Sequence, residues 1–125
     1  DHMKKLQMDL LTNKYTQVMV EENYQYNAPN RFIVAKAEPN NSGEPCEPLA
    51  EVHFQEGPIK ECGVNGVCNE DLINIVICRL EHFQQSEFRC RENALAITAL
   101  EEALLWLRKR TMGRENRGVE GTHTV

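Results

Sequence analysis

Four side chains in the C-terminal half of the chain have the chemistry needed to hold a small phosphorylated ligand. Phe83 offers an aromatic ring, Asn93 an amide, and Arg110 and Arg114 offer guanidinium groups. Aromatic rings stack on nucleobases, and a guanidinium pairs with phosphate oxygens through two parallel hydrogen bonds. These residue types favour binding of a nucleotide-like anion and require no covalent chemistry.

Each of these residues also has an ordinary structural interpretation. Phe83 follows an apolar helical pattern and can be a core residue, whereas Asn93 can belong to a solvated face. Arg110, Arg114 and Arg117 suit the C-terminal end of a helix, where the macrodipole favours cations. The residue types alone leave both interpretations open.

The sequence contains no motif of a known hydrolase or phosphate-binding loop. It has no Gly-x-Ser-x-Gly, no glycine-rich loop ending in Gly-Lys-Ser/Thr, and no His-Glu-x-x-His. Gly63-x-x-Gly66 is more typical of a loop that turns into a helix than of a phosphate cradle. His53 and His123 stand far apart in the sequence, and a Cys–His hydrolase stays an alternative. We therefore expect a binding protein and not an enzyme.

The five cysteines favour reduced thiols over disulfides or a metal site. Their number is odd and no Cys-x-x-Cys occurs, which is typical of cytosolic proteins. A zinc site would need Cys62, Cys68 and a His to converge, and the spacing of the two cysteines is unusual for a structural zinc pair. Cys78 lies in an apolar helical pattern, where a buried thiol acts as a small hydrophobe. We expect no metal and no cofactor.

The charge of the chain argues against nucleic acids and membranes as partners. The formal net charge is −5, whereas polyanions and anionic membrane surfaces need a basic face. The charge is uneven, because residues 108–125 carry +3 and residues 1–107 carry −8. No apolar run approaches the roughly 20 residues of a membrane-spanning helix. A local cationic cluster on an acidic body suits a small anion.

The elements that must position these residues begin with strands. Runs that are β-rich or alternating at residues 15–20, 31–36 and 49–54 predict three strands of a small antiparallel sheet. Residues 39–45 are rich in Pro, Asn and Gly and predict a loop. Residues 57–67 predict a structured turn segment that leads into a helix.

Two helices follow the strands and predict a helical hairpin. The first begins at Asn69, a good N-cap, and ends near residues 84–86. The second runs from about Arg89 to Met112, and Gly113 is its natural stop. It carries an aliphatic stripe and, beside it, a stripe of small residues and one Trp that lets another helix come close. The aliphatic stripe comprises Ile97, Leu100, Leu104 and Leu107, and the small-residue stripe comprises Ala96, Ala99, Ala103 and Trp106.

The predicted fold class is α+β, with a small N-terminal antiparallel β-sheet followed by a C-terminal two-helix hairpin that mediates oligomerisation. The length of 125 residues suits a single domain. Asp1 and His2 are interpreted as additions that precede a native start at or near Met3. Residues 113–125 are either a frayed end or a tail that folds back at its glycines to complete a binding site.

The length of the second helix separates the candidate ligand groups. At 1.5 Å per residue, Asn93 and Arg110 stand roughly 25 Å apart, so one small ligand cannot touch both in one chain. Two such helices, paired antiparallel through the small-residue stripe, would bring Arg110 of one chain to Phe83 and Asn93 of the other. A two-fold dimer would then carry two identical composite pockets.

Three stretches of the C-terminal half resemble a family of small phage proteins. They are HFQEGPIKECGVNGV, NEDLINIVICRLEHFQ and CRENALAITALEEALLWLRKRTMGRENRGVEGTHTV. They are similar to the helical-hairpin domain of anti-CBASS and Thoeris anti-defence sponges, and above all to the first-type Thoeris anti-defence proteins, clostridial examples included. The resemblance covers residues 50–125, and the N-terminal strands match only in general character.

The resemblance implies a non-enzymatic sponge that acts in the cytoplasm of the bacterial host. Thoeris TIR enzymes make a cyclic ADP-ribose isomer, glycocyclic ADP-ribose, and the sponge binds this signal without degrading it. Family members form dimers that build hexamers, with ligand pockets between protomers. Some members also sequester cyclic di- or trinucleotides at separate sites.

The resemblance also implies roles for individual residues, carried over by position. Phe83 would pack against the adenine, and Asn93 would hydrogen-bond the ribose or phosphate region. Arg110 of the partner chain would stack on the base or contact the pyrophosphate. Further contacts at the C-terminal end would comprise Arg114, Thr122 and His123.

Two other function classes stay open on the sequence alone. A small nucleotide-processing hydrolase is disfavoured by the lack of paired acids or metal ligands. A structural phage oligomer would use the hairpin for assembly and would bind no nucleotide.

Overall fold

The computed structural model describes residues 2–37 and 46–125. The loop predicted at residues 39–45 lies outside the described residues. The chain divides into two compact units, the sheet unit (Asp1–Gly57) and the hairpin unit (Pro58–Val125). All residues that the sequence predicts to bind ligand belong to the hairpin unit.

The sheet unit contains an antiparallel meander of four strands, β1 (Met3–Lys5), β2 (Thr16–Glu21), β3 (Arg31–Lys36) and β4 (Pro48–His53). The three strands predicted from the sequence are confirmed, with the ends of β2 and β4 shifted by one residue. The sequence analysis misses β1, because this short strand holds two lysines and shows no apolar alternation.

Alternating side chains of the central strands form the apolar part of the sheet unit. Val20 pairs with Phe32, which in turn pairs with Val52, so that these three residues share one face. The rings of Phe32 and Phe54 meet edge to face, with their centroids 5.6 Å apart. The buried carboxylate of Glu21 accepts the backbone N–H of Asn30 at 2.8 Å. This bond ties the end of β2 to the start of β3.

The hairpin unit consists of a short helix α1 (Ile59–Cys62) and two long helices, α2 (Asn69–Gln84) and α3 (Arg91–Asn116). The two long helices pack on each other across a short turn at residues 85–90, which confirms the predicted hairpin and the α+β fold class. On α2, Ile77 is buried. The aliphatic stripe of α3, Ile97, Leu100, Leu104 and Leu107, is half-buried.

The N-terminal end of α2 differs by one residue from the prediction. Cys68 is the N-cap and Asn69 is the first helical residue. The carboxylate of Asp71 accepts the backbone N–H of Cys68 at 2.8 Å, which satisfies a donor that would otherwise lack a partner. Asn is a commoner N-cap than Cys, so the sequence predicts Asn69. The bond between the Cys68 N–H and the Asp71 carboxylate instead fixes the cap one residue earlier.

The prediction that α3 stops at Gly113 is wrong, because the helix continues for another turn. The actual stop is Gly118, whose φ of +73° is the left-handed conformation that favours glycine. The N–H groups of Gly118 and Val119 donate back to the carbonyls of Glu115 and Arg114, both at 3.0 Å. This pair of bonds is the Schellman motif, and it turns the chain away from the helix axis.

Two glycine substitutions test this assignment of the helix end. A Cβ added at Gly113 or at Gly118 meets nothing within 4 Å, so only the backbone conformation distinguishes them. Gly113→Ala lies in a helix and should raise the free energy of unfolding by about 1 kcal/mol. Gly118→Ala forces a Cβ into the left-handed region and should lower it by about 1–2 kcal/mol. Chemical denaturation measures both, and equal effects would contradict the assignment.

The outer face of α3 stays exposed in the single chain. Trp106 is 61% exposed and Leu105 is 72% exposed, and two of the small residues beside them, Ala96 and Ala99, are exposed as well. Such a face is typical of a helix that packs against a further partner. The pairing of two copies through this stripe stays a prediction. None of the helices within residues 2–37 and 46–125 is long and apolar enough to cross a membrane.

Candidate functional site

The residues predicted to bind ligand fall into two clusters at opposite ends of the hairpin. Phe83 and Asn93 flank the turn between α2 and α3, and we call them the turn cluster. The tail cluster, at the other end, comprises Arg110, Arg114, Thr122 and His123. Because α3 is one continuous helix, the separation of roughly 25 Å between Asn93 and Arg110 is retained. The joint role of the two clusters stays a prediction.

The turn between the helices is fixed by the side chain of Gln84. Its Nε2 donates to the carbonyl of Cys90 at 2.9 Å, and its Oε1 accepts the Cys90 backbone N–H at 3.0 Å. The two bonds join the last residue of α2 to the N-cap of α3 and so hold the turn cluster in register. Sequence reasoning misses Gln84, because a glutamine that bonds backbone six residues away leaves no pattern.

Phe83 is 38% exposed and is therefore not a fully buried core residue. The guanidinium carbon of Arg79 lies over its ring, 5.2 Å from the centroid, as in an exposed cation–π pair. Positive charge and an aromatic surface therefore lie side by side at the end of α2. The sequence analysis does not name Arg79, although its position four residues before Phe83 places both on one helix face.

Asn93 lies in the first turn of α3, where its backbone N–H donates to the thiol of the N-cap Cys90 at 3.5 Å. An Asn destabilises the helix less in the first turn than in the interior, because the backbone N–H groups of the first turn have no carbonyl within the helix to bond. Its side-chain amide has no hydrogen-bond partner in the part of the chain that the structure describes. The amide can therefore bond a ligand.

The cations at the end of α3 differ in whether they have partners within the chain. Arg110 has no ion pair, hydrogen bond or aromatic contact within residues 2–37 and 46–125. The four other cations at this end of the helix have partners. Arg108 pairs with Glu115 at 3.2 Å, and the Lys109 ammonium lies 5.2 Å from the Trp106 ring centroid. Arg117 donates to the Val125 carbonyl at 3.0 Å, and Arg114 donates to two carbonyls. Arg110 is therefore the guanidinium best placed to pair with a phosphate.

Arg114 holds the tail instead of standing open. Its Nη2 donates to the carbonyls of Val119 at 3.0 Å and Thr122 at 3.1 Å. The glycines bend the chain around this point, since Gly118 and Gly121 have φ values of +73° and +75°. The expectation that the glycines let the tail fold back is confirmed for Gly118 and Gly121, and it is wrong for Gly113, which lies within α3.

The end of the tail is fixed to α1 by a carboxylate. Glu61 Oε2 lies 2.7 Å from His123 Nδ1 and accepts the His123 backbone N–H at 3.0 Å. Both bonds favour the ionised carboxylate. They lower the pKa of Glu61 below its ordinary value of 4.5, the side-chain bond first and the backbone bond second.

Removal of the His123 ring should therefore raise the pKa of Glu61 back towards 4.5. A lowered carboxyl pKa means that the contact is fully present above about pH 4.5 and is lost as the pH falls through the lowered value. Titration of the Glu61 side-chain carbon by NMR measures the shift in His123→Ala. His82→Ala, on α2, is the matched control and should leave the Glu61 midpoint unchanged. An unchanged midpoint in His123→Ala would contradict the contact.

The four thiols of the hairpin unit are exposed. The prediction that Cys78 is buried is wrong, because its side chain points outward from α2 and is exposed. His82 Nδ1 lies 3.8 Å from the Cys78 sulfur but 2.8 Å from the Cys78 carbonyl, so it bonds the backbone first. At Cys68, burial raises the pKa of the thiol, and Asp71 and Glu70 raise it further. A raised pKa disfavours the nucleophilic thiolate.

The described residues contain no group of three or more His, Cys, Asp or Glu side chains that could hold a metal ion. A cavity of about 630 Å³ lies in the sheet unit between residues 6–11 and Val18. Its lining is mostly aliphatic and includes no basic residue, so it does not suit a phosphorylated ligand.

Residues 48–112 match the family described as Acb2/Tad1, hairpin domain. The chain belongs to this family. The Acb2/Tad1 match includes β4, α1, α2 and most of α3, and thus the turn cluster and Arg110. It confirms the resemblance that the three C-terminal stretches indicate.

A relative of the Acb2/Tad1 chain comes from Bacillus phage SBSphiJ7 and is named Thoeris anti-defense 1. The two are 49% identical over an alignment 140 positions long, which spans 97% of this chain and 99% of the relative. The similarity therefore includes the N-terminal strands, which the sequence analysis matches only in general character.

Proposed function

We propose that this chain is a phage anti-defence sponge that binds glycocyclic ADP-ribose, the signal of Thoeris TIR enzymes, and sequesters it without degrading it. One observation carries the proposal: a phage protein named Thoeris anti-defense 1 is 49% identical along nearly the whole chain. Membership of the Acb2/Tad1 family supports the same role. The ligand identity rests on the resemblance described above.

The geometry of the hairpin unit supports a pocket that two chains build together. The turn cluster offers the Phe83 ring and the Asn93 amide, and the tail cluster offers the Arg110 guanidinium, roughly 25 Å away along α3. One small ligand uses all three groups only if Arg110 comes from a partner chain. The exposed stripe around Trp106 is the surface through which two α3 helices would pair.

In this pocket the adenine stacks on Phe83 and Asn93 bonds the ribose or phosphate region. Arg110 of the partner neutralises the pyrophosphate, and the tail cluster contributes Thr122 and His123. Arg114 acts mainly through the tail, because its guanidinium already binds two carbonyls. Dimers of this kind assemble further into a hexamer, and cyclic di- or trinucleotides are candidate ligands for separate sites.

Sequestration works by mass action and needs tight binding, not turnover. A nanomolar dissociation constant corresponds to about −12 kcal/mol. Base stacking contributes about 1–3 kcal/mol, and charge-assisted bonds from guanidinium to phosphate are among the strongest polar contacts. No general acid, base or metal is part of this mechanism.

Isothermal titration with a panel of nucleotides tests the proposed ligand. The panel contains cyclic ADP-ribose isomers, including glycocyclic ADP-ribose, and cyclic di- and trinucleotides, with linear ADP-ribose as the control. We expect tight binding of the glycocyclic isomer and weaker binding of the linear control, because a linear nucleotide loses more conformational freedom on binding. If no member of the panel binds, a structural phage oligomer is the better explanation.

A further inference from the structure

The C-terminal residues 119–123, here called the tail strap, are tied to α1 across the hairpin unit. The Lys60 backbone N–H donates to the Gly121 carbonyl at 2.8 Å. One residue further along α1 and two residues further along the strap, Glu61 accepts the backbone N–H of His123 at 3.0 Å and lies 2.7 Å from its ring Nδ1. Two consecutive residues of α1 thus hold the strap through its backbone and through one side chain.

The other side of the tail strap is held by α3. Arg114 Nη2 donates to the carbonyls of Val119 and Thr122, and the Thr122 hydroxyl donates to the Val119 carbonyl at 2.6 Å. The strap therefore lies between Arg114 on one side and Glu61 on the other. This arrangement fixes the direction in which Thr122 and His123 are presented.

The close contact between the strap and α1 favours glycine at position 121. A Cβ built on Gly121 would lie 2.9 Å from Cγ of Lys60, and the φ of +75° is already unfavourable for other residues. The Lys60 ammonium also pairs with Glu120 at 3.8 Å. A close contact at a glycine with a positive φ, beside matched polar partners, ties the strap to α1.

We infer that Glu61 is a positioning residue for ligand retention, because it holds the tail strap that presents Thr122 and His123. The retention half of this inference rests on the proposed function. Glu61 itself makes its contacts with the strap and does not need to touch the ligand. Neither the sequence patterns nor the family match assigns it a role.

Because the strap contacts are polar and exposed, we expect the loss of Glu61 to change local opening of the strap and ligand release more than global stability. Glu61 and His123 are both substantially exposed, and exposed ion pairs contribute little to global stability. Segments held mainly by exposed hydrogen bonds open locally, without unfolding the domain. Changes to such segments at a binding site act mainly on the dissociation rate. Loss of Glu61 should therefore release the strap and the ligand, with little change in the melting temperature.

Glu61→Ala, compared with wild type and with Glu22→Ala as the control, tests this inference. Glu22 is an exposed carboxylate of the sheet unit that pairs with His2 at 3.6 Å. Hydrogen–deuterium exchange measures the strap, and we expect the His123 amide to exchange about tenfold faster in Glu61→Ala. Displacement of glycocyclic ADP-ribose measures retention, and we expect about tenfold faster release. Glu61→Gln keeps an acceptor for the His123 amide and should restore part of both effects. Glu22→Ala should behave as wild type.

Each unfavourable result overturns a defined part of the inference. An unchanged exchange rate at His123 would show that Glu61 does not hold the strap. Faster exchange with unchanged release would reduce Glu61 to a stabiliser of the chain end. A wild-type protein that binds no nucleotide would refute the proposed function and the retention half, while the exchange comparison still decides whether Glu61 holds the strap.

Discussion

Replacing Phe83 and Asn93 together by Ala is expected to abolish capture of glycocyclic ADP-ribose while the oligomer stays intact. Loss of the ring removes a stacking contribution of about 1–3 kcal/mol, which corresponds to roughly 5–150-fold weaker binding. Loss of the amide removes a hydrogen bond of about 1 kcal/mol and can strand a polar group of the ligand in the pocket. Together the two losses raise the dissociation constant, so that the signal stays unbound at the low concentration at which it is made.

The fold should tolerate this double substitution. Phe83 is 38% exposed and the Asn93 amide has no partner among the described residues, so neither change leaves a large cavity or an unsatisfied group. Phe88→Ala is the matched control, because Phe88 is a more exposed aromatic residue in the same turn. Light scattering after gel filtration checks the assembly. Capture that persists in the folded double variant would refute the pocket.

Arg110→Ala is expected to weaken binding by a further large factor, because Arg110, unlike its four neighbours at the end of α3, has no partner among the described residues. A hydrogen bond to a charged group contributes about 1.5–3 kcal/mol, which corresponds to roughly 10–150-fold in the dissociation constant. Arg117→Ala is the control, since Arg117 donates to the Val125 carbonyl. It should change binding much less.

Mixing the two defective proteins gives the stronger form of this test. Co-expression of Arg110→Ala with the Phe83→Ala, Asn93→Ala double variant produces mixed dimers. In each mixed dimer one of the two pockets regains all three side chains, because they come from different chains. Titration should then recover sites of wild-type affinity that neither variant has alone. Mixed oligomers that recover no sites would show that the clusters do not share a pocket.

The elements with strong local patterns could be predicted from the sequence. The sequence predicts β3 at its observed bounds, because this strand is a compact run of β-branched and aromatic residues. β1 could not be found, because three residues with two lysines carry no periodic signal, and pairing with β2 defines the strand. The end of α3 was misplaced at the first glycine, because the Schellman bonds that select Gly118 depend on geometry and not on composition.

The sequence indicates the residue types of the candidate site, but it does not indicate which of these side chains are hydrogen-bonded within the chain. The sequence indicates a cluster of cations at the end of α3, yet it cannot tell that Arg114 is engaged by the tail while Arg110 is not. The bond from His123 to Glu61 joins residues 62 positions apart, beyond the reach of any local pattern. The family resemblance rests on three C-terminal stretches of the sequence, and the expected ligand rests on that resemblance.

The most direct test of the central claim is recovery of the captured ligand. The protein is mixed with glycocyclic ADP-ribose, the unbound fraction is removed by filtration, and the protein is then denatured by heat. Mass spectrometry of the filtrate before and after heating follows the nucleotide. We predict that it disappears from solution on mixing and returns chemically intact on heating. A hydrolysed product, or a ligand that never leaves solution, would contradict sequestration.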